Sequence, residues 1–146
     1  MLSVIVTNGN SAKLGGLLAA LTAAAVEGLV RDVTLVEGAD PALLDALCDA
    51  TGAKVAADFA SAVAGARGDW LLVAPPELRL KDGWVERLSD HLRDGGREAR
   101  LAGLGGGFLT RAPEALLIGR AKAAGSAQGG LQRLARQLGH GVRRLH

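Results

Sequence analysis

The side chains able to do chemistry gather in three short polar turns, each directly after an apolar run. The first is Thr7-Asn8-Gly9-Asn10, the second Glu37-Gly38-Ala39-Asp40, and the third Ala74-Pro75-Pro76-Glu77-Leu78. Amide, hydroxyl and carboxylate groups at strand ends can hold the polar edge of a ligand. Each also has a plainer role: Asn8 suits a turn, Glu37 ends a strand, Asp40 caps a helix, and Glu77 fits a solvated turn. Elsewhere, Glu114 follows Pro113 and reads as a partner for a helix dipole. His140 and His146 fall in a basic tail and read as surface residues, and His91 reads as the solvated face of a helix. Cys48 stands alone in an apolar stretch and reads as a small buried hydrophobe. The sequence contains no G-x-S-x-G, no G-x-x-x-x-G-K-[ST] and no Cys/His metal cluster. The glycine run Gly103–Gly107 neither follows the first strand nor opens a helix, so it is not a dinucleotide loop.

Those turns must be positioned by the apolar runs before them. Leu2–Val6 and Val33–Val36 are β-branched and apolar, as buried parallel strands require. Ala53–Ala56 is a short third strand and Trp70–Val73 a fourth, stopped by Pro75-Pro76. Between them lie helical patterns. Ser11 caps a helix with Leu14, Leu17, Leu18, Leu21 and Ala25 on one face, closed at Gly28. Asp40-Pro41 opens a second helix ending at Gly52. Asp58 caps a short Ala-rich helix ending near Gly65, and a further helix runs from about Asp82 to Arg93. Leu101–Thr110 is strand-like, and Pro113 opens a helix through about Lys122. Alternating strands and helices predict an α/β fold, a mostly parallel sheet with helices on both faces. Such sheets bind ligands beyond the carboxyl ends of their strands, where the three polar turns fall.

The chain has 146 residues, enough for one domain with a real core. With 49% hydrophobic and 22% charged residues it is not a disordered sequence. One cysteine gives no disulfide framework, which fits a reducing compartment and a cytoplasmic location. The first residues read as a strand rather than a signal peptide, and no apolar run approaches the ~20 residues of a membrane span. Charge is unevenly spread. Residues 1–114 carry 11 Lys+Arg against 15 Asp+Glu, while residues 115–146 carry 6 Lys+Arg and no acid.

Three segments together resemble the family-2 (GT-A type) glycosyltransferases. Leu2-Ser3-Val4-Ile5-Val6-Thr7-Asn8 is similar to that family's opening strand, S-V-V-I-P-T-Y-N. Val33-Thr34-Leu35-Val36-Glu37-Gly38-Ala39-Asp40 resembles V-x-V-V-D-D-G-S-x-D. Ala66-Arg67-Gly68-Asp69-Trp70-Leu71-Leu72-Val73, followed by Ala74-Pro75-Pro76-Glu77, resembles A-x-G-D-W-L-L-F-L-D-A-D. Gly83-Trp84 falls where the family often has P-G-W-L, and Gly106–Arg111 is like its acceptor-side G-x-F-x-x-R strand. The likeness covers residues 1–115 and is bacterial in type.

The resemblance implies a truncated nucleotide-diphospho-sugar transferase fold of the GT-A/Rossmann-like kind. It implies nucleotide contacts from Thr7, Asn8, Glu37 and Asp40, with Glu37 one carbon longer than the family's Asp. It also implies a divalent cation, Mg²⁺ or Mn²⁺, held by a D-x-D pair. Here those positions read Pro75-Pro76-Glu77, so only the second carboxylate remains. The family's acidic base element has no counterpart. With 3% aromatics and no Tyr, a sugar would find few stacking surfaces. The expectation is therefore a nucleotide-sugar-binding, pseudoenzyme-like domain with degenerate or absent transfer. The alternatives are an active minimal transferase completed by a partner chain, or an interaction module at a membrane surface.

The domain is expected over residues 1–124, with a linker at 125–130. Beyond it, Leu131, Leu134, Leu138, Val142 and Leu145 share one helical face, and Arg133, Arg136, Arg143 and Arg144 lie off it. This basic amphipathic helix at 131–146 would dock on the domain, on a partner protein, or on an anionic membrane at the inner face. Without aromatic platforms a nucleic-acid partner is not expected.

Overall fold

The computed structural model describes residues 2–7, 14–36, 53–104, 114–126 and 143–145. Its strands are β1 (Leu2–Val6), β2 (Val30–Val36), β3 (Lys54–Ala56), β4 (Trp70–Ala74), β5 (Ala99–Ala102), β6 (Glu114–Gly119) and β7 (Arg143–Leu145). The helices are α1 (Leu14–Val26), α2 (Phe59–Gly65), α3 (Trp84–Arg93) and α4 (Arg120–Ser126). The strands form one sheet in the order β3-β2-β1-β4-β6-β5-β7. β1 pairs in parallel with both β2 and β4, and β2 with β3. β6 runs antiparallel between β4 and β5, and β7 is parallel to β5. Among the described strands only β6 therefore opposes the common direction.

β1 is uniformly apolar because both of its faces are covered. All five residues are buried. Side chains alternate between faces. Leu2, Val4 and Val6 join Leu72 and Leu117 in one core, with Leu17, Leu21 and Ala24 of α1 and Trp84 and Leu88 of α3. Ile5 joins Leu71, Val73, Leu116 and Ile118 in the other, with Phe59, Ala62 and Val63 of α2 and Ala123 of α4. Each fully buried Leu or Val contributes about 1.5–3 kcal/mol. Helices thus cover both faces, as expected. On α1 the buried stripe passes through Ala24, and Ala25 is exposed.

Three clasps fix the opposite, amino-terminal edge. The Gly68 amide donates to the buried Ser3 hydroxyl at 2.8 Å. The Arg120 amide donates to the Asp69 carbonyl at 2.9 Å, and its guanidinium to the Ala66 carbonyl at 3.2 Å. After α3 the chain turns through Gly96, whose φ is +54°. A Cβ there would lie 2.9 Å from the Trp70 ring.

Four expectations are corrected. Residues 114–119 are a strand, not the helix predicted from Pro113; helix begins only at Arg120. A short apolar run buried on both sides has no periodicity to separate strand from helix, and β6 fills the sheet between β4 and β5. Glu114 is accordingly a strand residue, not a helix-dipole partner. His91 is buried, 8% exposed, because its ring turns inward onto the 96–97 backbone, with Nε2 2.8 Å from the Arg97 carbonyl oxygen. Arg143–Leu145 are a strand hydrogen-bonded along β5 and not the end of a helix. The second predicted helix with Cys48, most of the glycine run, and residues 127–142 lie outside the described residues. Among the described residues no helix is long and apolar enough to cross a membrane.

Candidate functional site

Because β6 alone is reversed, the ends of β1, β4 and β5 and the start of β6 meet along one edge. From β1 the chain goes outward to β2 and β3, then returns to place β4 on β1's other side. The gap between β1 and β4 is thus the switch point where open α/β sheets take ligands. Thr7 closes its floor. Its amide donates to the Ala74 carbonyl at 3.0 Å and its hydroxyl lies 3.4 Å from the same oxygen. The hydroxyl contact is long for an O–H···O bond, so this half-buried group keeps capacity for a ligand.

The next residues turn sharply. Pro75 brings no amide, and Pro76 takes the second turn position, where its fixed φ is favourable. The Leu78 amide closes the turn on the Pro75 carbonyl at 3.2 Å. Leu78, 1% exposed, anchors the turn in the core. Glu77 is left at the turn's tip, exposed, and among the described residues no partner holds its carboxylate.

Glu77 stands alone. Among the described residues no group of three His, Cys, Asp or Glu side chains is placed to hold a metal ion. A divalent cation of the Mg²⁺ kind needs near-octahedral oxygen ligation, keeps several waters and is usually held by one or two carboxylates together with substrate phosphates, so Glu77 alone gives a weak hold. Among the described residues the donor set does not fit a cation held by the protein alone.

Past the turn the pattern alternates. Leu78 is in the core and Leu80 packs against it, while Arg79 is exposed and Lys81 half-buried. The Arg79 carbonyl accepts the Leu104 amide at 2.7 Å. That bond ties the chain after β4 to the chain after β5, across the start of β6. Leu104 is 51% exposed on the same rim. Glu114 pairs diagonally with Arg100 across the β5–β6 ladder, at 3.8 Å. It therefore neutralises a neighbouring arginine at this edge.

Of the residues expected to touch nucleotide, Thr7 lies at the switch point. Asn8, Glu37 and Asp40 lie outside the described residues. Glu77 shares the edge with Thr7, since the Ala74 carbonyl that Thr7 holds is three residues upstream. Arg79 and Lys81 were not singled out from the sequence. The signal was present in Glu77-Leu78-Arg79-Leu80-Lys81, where apolar and charged residues alternate after a proline turn.

No protein-family model and no curated protein matches the chain. Solved structures do. A nucleotidyl transferase from Methanothermobacter thermautotroptrophicus (Mth528) aligns with 99% of this chain and 85% of its own, at TM-score 0.58 and 16% identity. A 4-diphosphocytidyl-2C-methyl-D-erythritol synthase aligns with 99% of this chain and 87% of its own, at TM-score 0.62 and 13% identity. Residues 1–349 of S. aureus TarS align over 86% of this chain and 48% of that one, at TM-score 0.51 and 12% identity. At such identities the likeness concerns the fold. The chain thus has a nucleotide-diphospho-sugar transferase-like fold, common to nucleotidyl and glycosyl transferases and not particular to family 2.

Proposed function

We propose that this chain binds a nucleoside diphosphate or its sugar conjugate at the β1–β4 switch point, and that its capacity for group transfer is degenerate. The observation carrying this reading is Glu77, at the tip of a Pro-Pro turn beside the β1–β4 switch point, with no second carboxylate beside it among the described residues. Transfer from a diphosphate needs the leaving charge neutralised and the acceptor hydroxyl deprotonated. Among the described residues the edge offers the solvated Glu77, the exposed Asp82 further along the same connection, and Glu114, already paired with Arg100. One structural neighbour is a nucleotidyl transferase by name and another is the synthase of a diphosphocytidyl compound. Uridine and cytidine nucleotides are therefore both natural probes.

Calorimetry with UDP-sugars and CDP, with and without Mg²⁺ or Mn²⁺, tests the proposal. The expected result is saturable binding without sugar release or transfer. Absence of binding under every condition would refute nucleotide recognition. Transfer that disappears in Glu77→Ala would refute degeneracy and establish an active minimal enzyme.

A further inference from the structure

We propose that Arg79, assisted by Lys81, supplies the positive charge that neutralises the diphosphate at this edge, so that nucleotide binding needs no divalent cation. This rests on the nucleotide-site reading above and names what recognises the diphosphate there.

The first argument is placement. Arg79 lies two residues beyond Glu77, on the connection that runs along the carboxyl edge from β4 to the exit of β5. Its backbone is pinned by the 2.7 Å bond from the Leu104 amide, and Leu78 and Leu80 anchor it on either side. The backbone is fixed while the side chain is exposed. An arginine with an ordered backbone and a free fork of donors is well suited to phosphate oxygens, which it can meet two at a time.

The second argument is availability. Several other cations have partners: Arg100 on Glu114, Lys122 on Glu98, Arg93 on Asp90, and Arg120 on the Ala66 carbonyl at the far edge, while Arg87 lies on α3 and Arg97 just before the amino end of β5. Arg31, Lys54 and Arg67 stand at or before the amino ends of β2, β3 and β4, away from the switch point. Among the described residues Arg79 and Lys81 are the uncommitted cations on the connection leaving β4.

The third argument is compensation. A D-x-D pair recruits a cation to offset diphosphate charge; here Pro75 removes one carboxylate and the chain continues into two fixed-charge side chains. Glu77 then opposes an anion instead of recruiting a metal. The two roles give Glu77 opposite signs in a binding experiment.

The test uses the full chain in EDTA. UDP, CDP and inorganic pyrophosphate are titrated by calorimetry, and uridine and cytidine by NMR line positions. The expected result is that diphosphates bind without metal and more weakly as salt rises, as an exposed ion contact requires. Arg79→Ala should weaken them about tenfold, the scale of one charge-assisted contact. Lys81→Ala should weaken them less, Arg79→Lys should recover part, and nucleoside binding should not change. Glu77→Gln should strengthen diphosphate binding. The assignment is overturned if Arg79→Ala leaves diphosphate affinity unchanged, if Glu77→Gln weakens it, or if wild type binds diphosphates only with Mn²⁺. Nucleoside binding with no gain from the diphosphate defeats Arg79's role and leaves the site standing. Failure of nucleosides and diphosphates alike defeats the site itself.

Discussion

At the scale of single residues, several of the carboxylates in this chain are held to structural work. Glu114 faces Arg100, and Asp58 accepts the Ser61 amide at 2.7 Å to cap α2. Asp32 is different. Both of its carboxylate oxygens are buried with no hydrogen-bond partner, beside Ser3 in the β1–β2 ladder. A buried carboxylate with no donor loses hydration and gains nothing in return. Asp32→Asn keeps the shape and removes the charge, so urea unfolding should show a gain of about 1 kcal/mol. A loss would mean that the carboxylate holds something the fold needs. Thr7's place on the carboxyl edge was legible because a polar residue closing an apolar strand falls at a strand's carboxyl end. Arg79 was overlooked because an exposed arginine has the sequence signature of any solvated one. Only the Leu104-to-Arg79 bond shows that its backbone is fixed on the site's edge.

At the scale of elements, caps and close approaches decide where helices begin and how they return to the sheet. The Ser61 amide and hydroxyl hold the Asp58 carboxyl below its ordinary 3.8. A lowered folded-state pKa adds stability above the unfolded value, and this is lost as pH falls through the folded one. Asp58→Ala should therefore lower the melting temperature at neutral pH, and the gap from wild type should close in acid. A gap independent of pH would show that the carboxylate charge plays no part in the cap. The return from α3 depends on Gly96. Alanine there meets both a left-handed φ and the Trp70 ring. Gly96→Ala should cost about 2 kcal/mol or more in denaturant unfolding; a neutral result would contradict the close packing of that turn on Trp70. α2 was readable because its cap and its closing glycine bracket an Ala-rich run. β6 was not, because Ala115–Ile118 are buried on both faces and a run of four apolar residues fits strand and helix equally. Its identity is decided by the strands on either side, which no local pattern records.

At the scale of the whole molecule, the alternation of apolar strands and amphipathic helices was enough for the α/β class and the carboxyl-edge location. It was not enough for the sheet order, since the reversal of β6 and the addition of β7 rest on pairings between distant segments. The result is a transferase-like sheet whose carboxyl edge, among the described residues, carries Glu77 followed by Arg79 and Lys81 on the connection leaving β4. The account's central claim is that this edge recognises a nucleoside diphosphate through fixed protein charge and has lost the metal-dependent chemistry of its fold. The direct measurement is the affinity of the full chain for UDP and CDP in EDTA and in Mn²⁺, for wild type and Glu77→Ala. Affinities that agree within about twofold between the two conditions, with no loss in Glu77→Ala, are the predicted result. Binding that appears only with Mn²⁺ and disappears in Glu77→Ala would contradict it.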